Sequence, residues 1–229
     1  MWCKNCNIET NEEKCPICGE KTVEDYPTEV YWCDNCRVPV MQEVNQADKG
    51  ICQRCGKPMK YLAADIRPVF PEERLLIEIL LKKKPHQWIN ESVWASNNRY
   101  YINGKSVALP NKLFQKANAD EYIEKLERNK DNNSYEAFDR YIDAFVEANR
   151  TRLNYLIDES HTFVRKTAAK FPEENIVLSF SGGKDSTVTA DVAIKALSDP
   201  SLVHIFGNTT LEFPLTIEYA KRYRKNNPQ

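Results

Sequence analysis

The chain has no apolar run near the ~20 residues that a membrane-spanning helix needs. Its opening, MWCKNCNIE, has neither the charged start nor the apolar stretch of a secretory signal. Both absences point to a cytoplasmic protein without a membrane partner. The chain also lacks a charge excess, since 32 Lys and Arg stand against 33 Asp and Glu for a net charge of −1. A dedicated DNA binder draws its hold from phosphate neutralisation, so that class is disfavoured unless cations gather on one face. Histidine is scarce. His86, His161 and His204 stand in no metal-ligand pattern with one another, and each reads as a packed residue. Low-complexity tracts are missing, and so is any cysteine after Cys55.

What is present begins with the cysteines. All eight lie in the first 55 residues and all fall in CxxC pairs. In a reducing cytoplasm such a group is unlike a disulfide framework. Cys3, Cys6, Cys15 and Cys18 form CxxC-x8-CxxC, while Cys33, Cys36, Cys52 and Cys55 form CxxC-x15-CxxC. Each set supplies the four thiolates of a closed tetrahedral Zn²⁺ site. Gly19 and Gly56 directly follow the second pair of each set, where a tight turn lets backbone N–H groups face sulfur. Two zinc ribbons are expected over residues 1–63, with metal stabilising segments too small for cores of their own. An iron–sulfur cluster or a redox CxxC is the alternative chemistry, and a crossed set, with Cys3 and Cys6 joining Cys33 and Cys36, stays open.

Residues 64–127 begin with IRPVFPEERLLIEILLKKK, where Leu75, Leu76, Ile79 and Leu80 recur at helical spacing after Pro71, Glu72 and Glu73. One amphipathic helix follows from this, with Lys82, Lys83 and Lys84 complementing its dipole at the end. In SVWASNNRYYINGKSVALP, Asn103-Gly104 separates an aromatic run from a short apolar one, the signal of a hairpin with a type I′ turn. A small α+β module is expected. Trp88, Trp94, Tyr100 and Tyr101 read as the filling of one sheet face, with an RNA-stacking surface as the rival. From 128 onward, Phe138, Tyr141, Ile142, Phe145, Leu153, Leu156, Ile157 and Val164 keep a period near 3.6, predicting one long helix or two joined ones.

The run NIVLSF (175–180) then leads through SGGKDS into TVTADVAIKAL, and LVHIF (202–206) leads through GNTTLEFP into TIEYAKRYRK. Strand, glycine-rich loop and helix is the order that builds phosphate sites in α/β proteins. Gly182 and Gly183 let the backbone turn several N–H groups toward one anion. Ser181, Ser186 and Thr187 offer hydroxyl donors, Lys184 offers a point charge, and the following helix adds its N-terminal partial charge. The pattern differs from GxxxxGK[ST], because the glycines are adjacent and Asp185 follows the lysine. Asp185 either binds Mg²⁺ or caps the helix facing away.

SGGKDS, preceded by VLSF and followed by TVTADVAIKAL, resembles the PP-loop of the adenine nucleotide α-hydrolase superfamily. HIFGNTTLEFPLTIEYA resembles the second strand and helix of the phosphoadenosine phosphosulfate (PAPS) reductase family within it. The resemblance implies a Rossmann-like parallel sheet over 128–229, with Ser181, Gly182, Gly183, Lys184, Asp185 and Ser186 holding the phosphate or phosphosulfate. It also implies that Asn208, Thr209, Thr210, Leu211, Glu212, Phe213 and Pro214 sit at the tip of the second strand beside the nucleotide.

The implied ligand is an adenine nucleotide: PAPS, adenosine phosphosulfate or ATP. The implied chemistry is thiol-dependent reduction to sulfite with a thiol reductant protein, or a related sulfur transfer. The rivals are a PP-loop ATP pyrophosphatase that adenylates a tRNA base, and a non-catalytic nucleic-acid or protein-binding adaptor. Departures from the family pattern are Asn208 for an Asp, Leu215 for a Glu, and the missing cysteine in a C-terminal segment. Such a domain takes roughly 150–200 residues, and about 55 follow Ile176. The expectation is the front part of a longer enzyme, completed by further chain, an oligomer or a complementing chain.

Overall fold

The computed structural model describes residues 1–227 except 4, 7, 11, 24–27, 45, 98 and 110–118; Pro110, the last residue of the expected hairpin segment, is outside it. The chain divides into two compact units, Met1–Arg152 and Leu153–Gln229. Within the first unit one apolar core joins residues from Trp32 to Ala148.

In the first unit, β1 (Trp2–Cys3) and β2 (Ile8–Glu9) pair antiparallel within the first cysteine set. β3 (Thr28–Cys33), β4 (Val38–Glu43) and β5 (Lys60–Ala63) form an antiparallel sheet with β3 at its centre. A second antiparallel sheet runs in order β6 (Arg67–Pro68), β7 (Val93–Ser96), β8 (Arg99–Ile102) and β9 (Lys105–Ala108). The β8–β9 link is the expected two-residue turn, with Asn103 at φ 49° and Gly104 at φ 75° and Ile102 opposite Lys105. Glycine is needed at 104 twice over, since a Cβ there would lie 2.5 Å from the Trp32 ring.

The two central strands of this sheet, β7 and β8, are buried on both faces, which explains why VWAS and RYYI read as nearly continuous apolar runs. Ala95, Tyr100 and Ile102 pack with Val69, Ile77, Leu80 and Trp88 on one side. Trp94 and Tyr101 pack with Trp32, Val38, Val40, Cys33 and Cys52 on the other. The aromatics therefore fill the sheet interior. On the first side lies α1 (Pro71–Leu80), starting at Pro71 with Glu72 and Glu73 in its first turn. It stops by backbone closure: Lys82 takes φ 54°, its N–H reaches the Ile79 carbonyl, and the Lys83 N–H reaches that of Glu78. The lysines follow the helix and none lies in its last turn.

α1 also hides what its apolar period does not announce. Glu78 is fully buried and accepts from Arg74 and from the N–H groups of His86 and Trp88. Such a carboxylate is tolerable only because every donor is in place. α2 (Ala119–Asn129) lies against α1.

The long helical stretch is two helices, α3 (Glu136–Ala148) and α4 (Arg150–Ala168), parted at Asn149. α3 sends Ala137, Tyr141 and Ala148 into the Trp32–Trp94 core, and its Phe145 ring lies 4.9 Å from that of Trp94. The amide of Asn149 explains the break. Its oxygen accepts from the Met41 N–H at 2.6 Å and its nitrogen donates to the Pro39 carbonyl at 3.0 Å, so one buried side chain pairs with the edge of β4 as a strand would.

In the second unit, β10 (Leu178–Ser179) and β11 (His204–Ile205) pair in parallel, Leu178 opposite His204. Each is followed by a helix, α5 (Lys184–Leu197) and α6 (Pro214–Asn226). Phe180, Leu202 and the α5 alanines 190, 193 and 196 are buried, whereas Val177, Val203 and Ile205, on alternate positions, are about half exposed. The Rossmann-like sheet implied by the resemblance is not formed: among the described residues parallel pairing is confined to these two short strands, and the larger sheets are antiparallel. The result is a mixed α/β protein. Among the described residues no helix is long and apolar enough to cross a membrane.

Replacing Asn149 by Ala strips partners from two backbone groups of β4. Urea denaturation followed by tryptophan fluorescence should show the first unit destabilised by about 1–3 kcal/mol. Asn149→Asp should be little better, because a carboxylate cannot donate to the Pro39 carbonyl.

Candidate functional site

The cysteines resolve into the two sets in chain order, and the crossed arrangement does not occur. The sulfurs of Cys3, Cys6, Cys15 and Cys18 lie within 4.8 Å of one another, and so do those of Cys33, Cys36, Cys52 and Cys55. A tetrahedral ion with Zn–S bonds of ~2.3 Å requires sulfur–sulfur edges of about 3.8 Å. The edges Cys3–Cys18, Cys33–Cys55 and Cys36–Cys52 measure 3.6, 3.5 and 3.9 Å. The donor sets therefore fit a four-coordinate, thiolate-binding metal ion.

The knuckles are built alike. The N–H of Cys6 faces the Cys3 sulfur at 3.3 Å, and that of Cys36 faces the Cys33 sulfur at 3.4 Å. Gly19 and Gly56, at φ 74° and 69°, close their turns onto the Cys15 and Cys52 carbonyls. The same closure after Cys33 falls to Arg37, at φ 58°, where no glycine marks it. Arg37 is held there by its guanidinium, which donates to Glu91 at 2.5 Å and to Asn103 at 2.7 Å and lies over the Tyr141 ring. The knuckle of Cys52 is fixed by buried Gln42, whose amide bonds the Gly50 N–H and the Ile51 carbonyl.

Without a cation the thiols oppose one another. A hydrogen bond from the Asn5 side chain helps bring Cys18 down to about 6. The neighbouring Cys18 pushes Cys6 up to about 12. In the second set burial pushes Cys33 up, while Cys55 falls to about 7 because the Lys57 backbone and the other thiols outweigh its burial. A central dication would relieve this opposition by favouring thiolates.

The two loops of the second unit leave the carboxyl ends of adjacent parallel strands, so they share one edge of the sheet. Gly182 takes φ 74°, and Gly183 is the N-cap of α5 without a side-chain cap. The capping alternative for Asp185 is therefore not realised. Asp185 and Lys184 are about nine-tenths exposed and 3.4 Å apart.

The loop hydroxyls are engaged internally. Ser181 Oγ lies 3.1 Å from Ser186 Oγ, which donates to the Gly183 carbonyl at 3.1 Å. Thr187 Oγ1 donates to the same carbonyl at 2.9 Å and lies 3.0 Å from Tyr219 Oη. In the second loop the Asn208 side chain accepts from the Thr210 N–H, Thr210 takes φ 66°, and Thr209 donates to Glu212 at 2.9 Å. Leu211 and Phe213 are mostly exposed. His204 is half-buried at the edge of the stacked Phe180 and Tyr223 rings, 6.2 and 5.6 Å from their centroids. Thr216 and Tyr219 of α6, which line the underside of Gly182, carry no motif that marks them in the sequence.

Residues 175–227 match the family model of the phosphoadenosine phosphosulfate reductase domain. An uncharacterized protein of Methanocaldococcus jannaschii is 35% identical over 86 residues, which are 37% of this chain and 20% of the relative. The match thus spans about a fifth of that relative's length. No solved structure matches.

The two cysteine sets should differ in what their loss does. Cys33 belongs to the Trp32–Trp94 core and Cys3 does not. By metal analysis the wild-type protein should carry two Zn²⁺ per chain, and Cys3→Ser and Cys33→Ser should each lose one. Only Cys33→Ser should also abolish the cooperative unfolding transition reported by tryptophan fluorescence.

Proposed function

Starting from residues 175–227 as phosphoadenosine phosphosulfate reductase domain sequence, we propose that the chain binds an adenine nucleotide through its phosphates at Ser181–Ser186. The observation that carries this reading is the meeting of SGGKDS and GNTTLEF at the carboxyl ends of two adjacent parallel strands, with α5 opening directly from the first loop. An uncapped helix N-terminus and a left-handed glycine give a concentration of N–H groups suited to an anion. Gly182, Gly183 and Lys184 would hold the phosphate or phosphosulfate, and exposed Asp185 is available to Mg²⁺. Asn208, Thr209, Thr210, Glu212 and Phe213 would flank the nucleotide. Zn²⁺ in the two four-cysteine sets would be structural, as suits a cytoplasmic protein with reduced thiols.

The chemistry that fits this domain is transfer or reduction of the sulfur of PAPS or adenosine phosphosulfate. All eight cysteines of these 229 residues are drawn into the two four-thiol clusters. The attacking thiol would therefore come from a reductant protein or from additional chain. That same observation favours a second reading, ATP-dependent adenylation of a tRNA base with release of pyrophosphate, whose nucleotide step requires no protein thiol.

Titration calorimetry with PAPS, adenosine phosphosulfate and ATP should give saturable binding to at least one. Gly182→Asp should weaken it at least roughly tenfold, because it forces a side chain into a positive-φ site and puts a carboxylate beside the anion. Sulfite release with a dithiol reductant supports the first chemistry, and tRNA-dependent pyrophosphate release supports the second. No nucleotide binding, together with RNA affinity that survives Gly182→Asp and Gly183→Asp, would replace both readings with a binding adaptor.

A further inference from the structure

The hydroxyl protons of the loop can be assigned by following who donates to whom. Thr187 has one proton, and its Oγ1 lies 2.9 Å from the Gly183 carbonyl, which has only lone pairs to offer. The contact of 3.0 Å between Thr187 Oγ1 and Tyr219 Oη is then donated by tyrosine. A directed chain results, from Tyr219 O–H to Thr187 O–H to the carbonyl of the N-cap residue Gly183. Tyr219 meets the loop a second way: a Cβ at Gly182 would lie 3.2 Å from the Thr216 methyl and 3.8 Å from Tyr219 Cδ1. The same ring lines a shallow depression with Gly182, Gly183, Lys184 and Thr187. The Arg222 guanidinium covers the ring at 5.4 Å.

We infer that Tyr219 is a positioning residue for the phosphate loop, acting through Thr187 on the Gly183 peptide, and that Thr187 supports the loop and is not a ligand of the anion. The inference rests on the proposed nucleotide site and deepens it. Holding the Gly183 carbonyl down into the first turn of α5 fixes the Gly183–Lys184 peptide, so that the Lys184 N–H is oriented for an anion before it arrives. Pre-orientation of this kind strengthens binding without contributing a contact.

The test uses the full chain with Tyr219→Phe, which keeps the ring and removes the donor. With ATP and PAPS as probes, Tyr219→Phe and Thr187→Val should each weaken binding about fivefold, the effect of one hydrogen bond. The double variant should lose no more than either alone, since both break one chain. Thr187→Ser, which restores the hydroxyl, should bind like wild type. Unchanged affinity in Tyr219→Phe, or fully additive losses, would overturn the inference. Amide hydrogen exchange of the ligand-free protein separates this outcome from failure of the nucleotide reading. If wild type binds neither probe, faster exchange over residues 181–187 in Tyr219→Phe, with residues 190–196 unchanged, still supports the positioning role; unchanged exchange in the loop refutes it.

Discussion

Four sulfurs held within 4.8 Å of one another against an apolar core are the constraint on which the first unit depends. Cys33 and Cys52 are fully buried among Trp32, Val38, Val40 and Trp94, so ionising them there without a cation would place charge in a low-dielectric interior. With a bound dication the set becomes a covalent-like junction between the β3–β4 turn and the loop before β5. The second sheet and α3 then close over that junction. Metal and core are thus not two stabilising devices side by side, because each needs the other: the cluster lacks shelter without Trp94 and Tyr101, and those rings lack a surface to cover without the cluster.

Polar side chains finish this assembly at the places where regular structure stops. Arg37 closes a knuckle in a conformation that favours glycine, and its guanidinium reaches Glu91 just before β7 and Asn103 in the β8–β9 turn. Gln42 ties the ribbon loop before Cys52 to β4, and Asn149 ties the end of α3 to the outer edge of the same strand. Glu78 gathers the chain after α1 by accepting two backbone N–H groups. Each is a buried or half-buried polar group: Gln42 and Glu78 fix the loops that follow them, while Arg37 and Asn149 reach partners more than 50 positions away and so contribute register as well as hydrogen bonds.

That pattern accounts for what the sequence discloses. The cysteine sets, the Asn103-Gly104 turn, the Pro71 helix start and the glycine loop are local: spacing or a single conformational demand suffices to read them. The apolar period through 138–164 finds the helices but not their interruption, since Asn149 ends α3 by a contact with Met41 and Pro39, more than 100 positions away. For the same reason the shared core of the second cysteine set, the four-stranded sheet and α3 cannot be read from local pattern. Arg37 and Glu78 are invisible to pattern because their types predict the surface. Tyr219 is hidden in a run of helix-compatible residues, and only the packing of α6 under Gly182 distinguishes it.

The second unit draws its order from a different source. Two strands of two residues offer little sheet, and Val177, Val203 and Ile205 leave an apolar face half exposed. Three inward alanines let α5 approach closely, and the stacked rings of Phe180, Tyr219 and Tyr223 fill the space beneath α6. The loop accordingly meets its own hydroxyls and α6, where a wide sheet would otherwise hold it. The loop is only as well formed as the contact between its two helices, which ties SGGKDS to the second motif through packing as well as through sequence.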